Sequence, residues 1–321
     1  MKTAEAVTPK HPDKLCDRIS DAILDACLEQ DPMSRVAIET MGGHGIITIT
    51  GELTTKAFVD MRKIAQSVAG SQYGVQVNVV SQSLEIGHGV DNGGAGDQGI
   101  MVGYACNDNE AMIPHETWLA RNLCQTLYSQ FPYDGKTQVT LNDENQITAV
   151  VASFQNVSRA KLHDAVWEWI KRNQITMLEP KVHINAAGDW KIGGFEADTG
   201  LTGRKLMVDN YGPQIPIGGG CFSGKDATKV DRSAAYMARY IAVQLIKKTN
   251  RKEVLVKLAY AIGVAEPVMA IAKIDGIEIN LAEYGFDLTP KGIIDRLGLR
   301  KPQFAKTAEW GHFGNNFLWD R

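Results

Sequence analysis

Cysteine is scarce: five in 321 residues (Cys16, Cys27, Cys106, Cys124, Cys221), an odd number with no Cys-x-x-Cys pair. That excludes a disulfide framework and offers no zinc knuckle, so the five read as reduced thiols. No apolar run reaches the roughly 18 residues needed to cross a bilayer, and no signal-like apolar core follows Met1-Lys2-Thr3-Ala4-Glu5. The expectation is a cytoplasmic protein with no membrane partner. An excess of one charge is also missing. With 34 Lys+Arg against 37 Asp+Glu the net charge is -3, which favours no nucleic-acid partner and requires any anion site to be local. There is no His-Glu-x-x-His, no nucleophile elbow and no Rossmann glycine pattern, so zinc-protease, hydrolase-triad and dinucleotide chemistry have little support.

What remains is an ordinary globular composition, 44% hydrophobic and 22% charged, long enough for two or three compact units. Apolar spacing predicts a helix from about Lys14 to Gln30, ended by Asp31-Pro32. Strands at Val36–Thr40 and Ile46–Thr50 form a hairpin around a Gly-rich turn. Thr54 or Thr55 is expected to cap a helix carrying Phe58, Met61, Ile64, Ala65 and Val68, followed by a strand through Val75, Val77 and Val79. The same order recurs with strands near Gln138–Leu141 and Gln146–Ala152 and a helix from Ser158. It recurs again with a helix from about Ser233 to Lys248 and strands Val254–Tyr260 and Val268–Ile274. Three rounds of paired strands with an amphipathic helix suggest an α+β protein of three similar units, each a sheet covered by helices on one face.

Glycine is abundant at 31 residues and clusters with charge. His11-Pro12-Asp13-Lys14 sets imidazole, carboxylate and ammonium at a predicted helix start, where unpaired N–H groups and the dipole favour anions. A polyphosphate with a divalent ion would use all three, although Asp13 as a plain cap and Lys14 as a solvated cation fit the same residues. Gly93–Gly99 holds Asp97 and Gln98 in a flexible stretch that suits a ligand amine or hydroxyl, or an ordinary loop. Gly200–Lys205 carries Arg204 and Lys205 after Asp198, and Gly218–Asp226 leads to Lys225, Lys229 and Asp231. Gly219-x4-Gly224-Lys225 matches the first part of a P-loop, but Asp226 replaces the metal-binding hydroxyl and Pro213 and Pro216 spoil the strand that should precede it. The cations Lys14, Lys136, Arg204, Lys205, Lys225 and Lys229 read as lying in turn-rich segments, with Asp13, Asp134, Asp198 and Asp231 beside them. Together they point to a nucleotide polyphosphate with Mg²⁺.

Seven motifs stand in order: His11-Pro-Asp-Lys14, Gly94-Ala-Gly-Asp-Gln-Gly99, Gly200-Leu-Thr-Gly-Arg-Lys205, Gly218-Gly-Gly-Cys-Phe-Ser-Gly-Lys-Asp226, Asp231-Arg-Ser-Ala-Ala235, Tyr260-Ala-Ile-Gly-Val-Ala-Glu-Pro267 and Gly311-His-Phe-Gly314. Over nearly its whole length the chain resembles the S-adenosylmethionine synthases (methionine adenosyltransferases), as a short variant. The resemblance implies three α+β domains about a pseudo-threefold axis, with boundaries near 1–90, 91–193 and 194–321 and partly interleaved. It implies a homodimer with sheets packed at the interface and active sites there; pairing of dimers into a tetramer stays open. The implied reaction joins methionine sulfur to C5′ of ATP, expels tripolyphosphate and hydrolyses it to phosphate and pyrophosphate. By this resemblance His11, Lys14, Lys136, Arg204 and Lys225 are catalytic. Lys14, Asp134, Lys136, Trp190, Asp198, Arg204, Lys205 and Lys225 bind the nucleotide and phosphates, and Glu52, Gln82, Asp97 and Lys229 bind methionine. Asp13 and Asp231 hold two Mg²⁺ ions, and Glu39 holds K⁺.

The chain departs from the family pattern in three places. Thr8-Pro9-Lys10 stands where Ser-Glu-Gly is usual, the segment from Val79 to Gly94 is shorter than the family's mobile loop, and the chain ends at Trp319-Asp320-Arg321 without the usual extension. Two other readings keep the same fold: a non-catalytic regulator that binds nucleotide or S-adenosylmethionine, and a tripolyphosphatase without alkyl transfer.

Overall fold

The computed structural model describes residues 1–82, 93–173 and 177–321. Helix α1 (Pro12–Gln30) starts where the sequence supplies a capping side chain followed by proline, and its inner face buries Ile19, Ile23, Leu24 and Cys27. It lies under a hairpin of β2 (Arg35–Gly43) and β3 (Ile46–Thr54), whose alternate residues Val36, Ile38, Ile47 and Ile49 turn toward it. Helix α2 (Met61–Ala69) then crosses over to β4 (Gly74–Val80), parallel to β3. Its cap is Asp60, which accepts the Lys63 N–H, and not Thr54 or Thr55 as expected. Thr55 is engaged by Ser34 and by the Ala57 N–H, and Phe58 lies outside the helix, 89% exposed.

The arrangement is repeated. Strand β5 (Gly99–Cys106) leads to helix α3 (His115–Gln130), the hairpin β6 (Gly135–Leu141) and β7 (Ile147–Phe154), helix α4 (Arg159–Arg172) and strand β8 (Met177–Ile184), parallel to β7. The last round is a two-residue strand β9 (Gly200–Leu201), a short α5 (Leu206–Asp209), the long α6 (Val230–Thr249) and the hairpin β10 (Glu253–Tyr260) and β11 (Met269–Ile274). Strand β12 (Ile277–Asn280) follows, then α7 (Pro290–Leu297) and α8 (Thr307–Trp310). Here Asp275-Gly276 is all that joins β11 to β12, so they can only pair antiparallel; a parallel pair needs a crossover such as α2 or α4.

Three four-stranded sheets result, in the orders β4-β3-β2-β9, β8-β7-β6-β1 and β12-β11-β10-β5, where β1 is Lys2–Val7. Each is a hairpin with its next strand on one side and, on the other, an antiparallel strand from a distant part of the chain. A long helix covers each such joint: α1 on β2 and β9, α3 on β1 and β6, α6 on β5 and β10. The α+β reading, with three similar units, is what the structure has. Pairing of β1, β5 and β9 crosses the expected boundaries at 90/91 and 193/194.

Contact at the third joint is tight. Gly103 of β5 lies so close to α6 that a Cβ there would stand 2.0 Å from the carbonyl carbon of Ala238. Gly103→Ala should therefore lower the unfolding free energy by about 1–3 kcal/mol or more through overpacking, read as a shifted urea midpoint at unchanged slope.

Candidate active site

The first turn of α1 organises one group of site residues. The His11 side chain accepts the Asp13 N–H at Nδ1, 3.2 Å away. An imidazole that accepts at Nδ1 carries its proton on Nε2, so its second nitrogen is a neutral donor. Burial, then the Lys205 charge, push its pKa down to about 4. Asp13 accepts the Leu201 N–H at 2.9 Å and Lys205 Nζ at 2.5 Å, with Arg204 Nε at 3.6 Å. Burial opposes its charge, but Lys205 and the Leu201 N–H outweigh burial and hold it below the usual carboxylate range. Lys136 on β6 and Asp198 both act on the charge of His11. Asp134 is buried, accepts the Gly194 N–H at 2.9 Å and is raised by desolvation. The half-buried Trp190 lies against Gly193. His11, Asp13, Asp134, Lys136, Asp198, Arg204 and Lys205 are thus brought together around one helix N-terminus.

A second group forms along the edge of β2. There the 218–226 loop continues where β9 stops: the Ile38 N–H donates to Gly224 O, the Asp226 N–H to Val36 O, and Lys225 bridges Ala37. Lys225 Nζ stands 2.7 Å from Asp231 Oδ2, whose other oxygen accepts the Gly220 N–H at 3.1 Å. Lys229 pairs with Asp226 at 2.5 Å. Glu39 faces away from the core, and Glu52, opposite Ala37, shares that open face. Gln98, Gly99, Gly218, Gly219, Asp231 and Tyr260 border a cavity of about 810 Å³. Asp97 beside it is exposed and accepts the Gln98 N–H. Gln82 donates its N–H to Thr54, while its Oε1 is shielded from solvent and unpartnered. The shortened Val79–Gly94 segment falls largely outside the described residues. The two cation loops touch, since a Cβ on Gly203 would lie 2.4 Å from the Cβ of Cys221.

Lys14 departs from its expected role. Its ammonium is fully buried and held by Asp17 at 3.0 Å and by Asp209, which is also buried, so it presents no donor to a phosphate. Burial alone would lower its pKa, but the two carboxylates keep it well above the usual lysine range. It lies within α1 and Lys136 within β6, so neither is in a turn-rich segment. The P-loop likeness fails as the sequence indicated. Residues 211–217 form turns and no strand, and α6 begins only at Val230. Sequence reasoning missed Asp17, Asp21, Asp209 and Arg232. Asp21 takes Arg232 in a buried bidentate pair at 2.6 and 2.9 Å, with Phe304 stacked on the guanidinium. The available signal was spacing: Asp13, Asp17, Asp21 and Asp25 recur every four residues on one helix.

A helix N-terminus, a neutral histidine and two cation-bearing glycine loops thus meet on a scaffold of three similar α+β units, an arrangement with the chemistry of an anion-binding enzyme site. The chain belongs to the S-adenosylmethionine synthetase family: models of that family's N-terminal, central and C-terminal domains match residues 1–86, 92–190 and 192–321. It is 41% identical over 375 residues to the S-adenosylmethionine synthase of Brachyspira hyodysenteriae, 40% over 383 residues to that of Petrotoga mobilis and 42% over 366 residues to that of a Nitratiruptor species. In each case 99% of this chain and 95% of the relative are covered. These aligned stretches exceed 321 residues, so the relatives carry internal segments that this chain lacks.

The depressed His11 pKa has a measurable sign. His11 is neutral when folded and titrates near 6.5 when unfolded, so the unfolded chain binds the extra proton and stability falls as pH drops from 6.5 toward 4. The melting temperature of His11→Asn should fall less steeply with pH over that window than that of the parent, measured by thermal melts at matched ionic strength.

Proposed function

We propose that the protein synthesises S-adenosyl-L-methionine from ATP and L-methionine and hydrolyses the displaced tripolyphosphate to phosphate and pyrophosphate. The observation that carries this reading is His11, a neutral Nε2–H donor at a helix N-terminus, flanked by Lys136, Arg204 and Lys205. Methionine sulfur attacks C5′, a C–S bond forms, the C5′–O bond breaks and its electron pair leaves on oxygen. His11 donates a hydrogen bond to that oxygen as its charge grows, and Lys136, Arg204, Lys205 and Lys225 receive the charge spread over the chain of phosphates. No covalent enzyme intermediate is required, and holding sulfur and C5′ in line supplies much of the remaining acceleration. Asp134 and Asp198 meet the nucleoside, with Trp190 beside the base. Glu52 and Asp97 hold the methionine amine, Lys229 its carboxylate, and Gln82 also contacts methionine.

Mg²⁺ commonly takes one or two carboxylates with substrate phosphates. Asp13 and Asp231 fit that pattern, since each is a single carboxylate already facing a phosphate-binding lysine. Among the described residues no three His, Cys, Asp or Glu converge, so further ligands would be phosphate oxygens and water. Bound there, Mg²⁺ would neutralise polyphosphate charge. Glu39 offers one carboxylate for K⁺.

Helices cover one face of each sheet; the open face of the β2–β3 hairpin exposes Met41 and Ile46 beside Glu39 and Glu52, and Ile100 on β5 and Val268 just before β11 are exposed as well. This supports a homodimer packed sheet on sheet with its active sites at the interface. No helix among the described residues is long and apolar enough to cross a membrane. The reaction's substrates and the free thiols suit the cytoplasm.

Purified protein given ATP, L-methionine, Mg²⁺ and K⁺ should yield S-adenosylmethionine, phosphate and pyrophosphate in equal amounts, followed by mass spectrometry and phosphate assay. His11→Ala should slow this by about 10²–10³. Tripolyphosphate cleavage without sulfonium would overturn the alkyl-transfer reading, and tight nucleotide binding without turnover would point to the regulator.

A further inference from the structure

The four aspartates of α1 together hold three stretches of chain between Leu201 and Ala305. Asp13 takes the Leu201 N–H and Asp17 the Gly203 N–H at 2.8 Å. Asp21 takes the Gly224 N–H at 2.8 Å, and Asp25 takes those of Gln303, Phe304 and Ala305 at 2.8–2.9 Å. At four-residue spacing they form a stripe roughly 18 Å long. Its middle two members meet the backbone next to the cations: Gly203 precedes Arg204 and Lys205, and Gly224 precedes Lys225. Both glycines have a left-handed backbone (φ +79° and +81°), so their amide directions are set by the turn and admit no other residue without strain. Asp17 and Asp21 are fully buried and touch neither cleft, and their second partners, Lys14 and Arg232, are buried too.

We propose that Asp17 is a positioning residue of the synthase reaction: through the Gly203 N–H it holds Arg204 and Lys205 at the height along α1 where the departing polyphosphate needs them, and Asp21 does the same for Lys225 through Gly224. The inference rests on the function proposed above. It predicts that losing the Asp17 anchor damages the steps in which phosphate charge is handled and spares methionine binding. A displacement of about 1 Å at such a site is worth about 10² in rate.

The test compares Asp17→Asn, which keeps an acceptor for Gly203, with Asp17→Leu, which keeps the branched shape without an acceptor and leaves Lys14 paired with Asp209. Both are measured as full-length dimer for S-adenosylmethionine formation and for hydrolysis of added tripolyphosphate. Asp17→Leu should lower kcat for both activities by about 10²-fold with KM for methionine changed less than about twofold, and Asp17→Asn should restore most of it. Combined with Lys205→Ala, Asp17→Leu should cost far less than it does alone, because the two act through one loop. Additive losses, or a lowered melting temperature with unchanged kcat per folded molecule, would overturn the proposal. Should Asp17→Leu fail to fold, hydrogen exchange in the parent decides: the Gly203 amide should be strongly protected, and exchange as fast as that of an exposed loop amide would overturn it. An inactive parent protein would instead sink the functional reading on which this rests.

Discussion

Buried carboxylates on a single helix, each satisfied by main-chain N–H groups, are the constraint on which the architecture turns. A carboxylate taken out of water is costly unless its lone pairs are filled, and charge-assisted bonds are worth roughly twice neutral ones. α1 commits Asp13, Asp17 and Asp21 in this way, with the half-buried Asp25 beyond them, and in return three chain segments lose the freedom to be anywhere else. Arg232 and Lys14 pair with two of those carboxylates at depth, so the helix face is rigid where an apolar face would allow sliding. The sheet edge beside it, with β9 and the 218–226 loop laid end to end along β2, inherits its register from the helix below.

The cations proposed for phosphate binding come with carboxylates: Lys205 and Arg204 share Asp13, Lys225 has Asp231 and Lys136 has Glu5. This reconciles a slightly acidic protein with the proposed polyphosphate site. In the function proposed above, most of these cations rest already paired, and an incoming polyphosphate would exchange partners with groups already in place. The histidine belongs to the same logic. Burial and neighbouring cations keep it uncharged, so in the proposed reaction it would serve as a directed donor, not as one more positive charge.

Much of this was legible in the sequence because it depends on local pattern. The hairpin of β2 and β3 and the Ser158 start of α4 follow from period-2 runs and cap residues, and the motifs located both cation loops. Strands β1, β5 and β9 were not legible, because what makes them strands is a partner well over a hundred residues away, and β9 is only two residues long. Lys14 misled because a lysine beside His11 and Asp13 suggests the cleft, and only the three-dimensional placement of Asp209 turns it inward. The aspartate spacing was visible, but nothing local says that loops nearly two hundred residues later would supply the N–H groups.

The exchange of strands between units bears on how the chain is made. On the ribosome β2, β3 and β4 emerge early, yet their sheet gains its fourth strand only when residue 201 has been synthesised. β1 must wait for β6, and β5 for β10, some 150 residues later. Nascent edges therefore stay open through most of translation, and contact order is high for each sheet. The three units cannot each close from one contiguous stretch of chain: the sheet of β1 and β6–β8 is complete at Ile184, that of β2–β4 and β9 at Leu201, and that of β5 and β10–β12 only at Asn280.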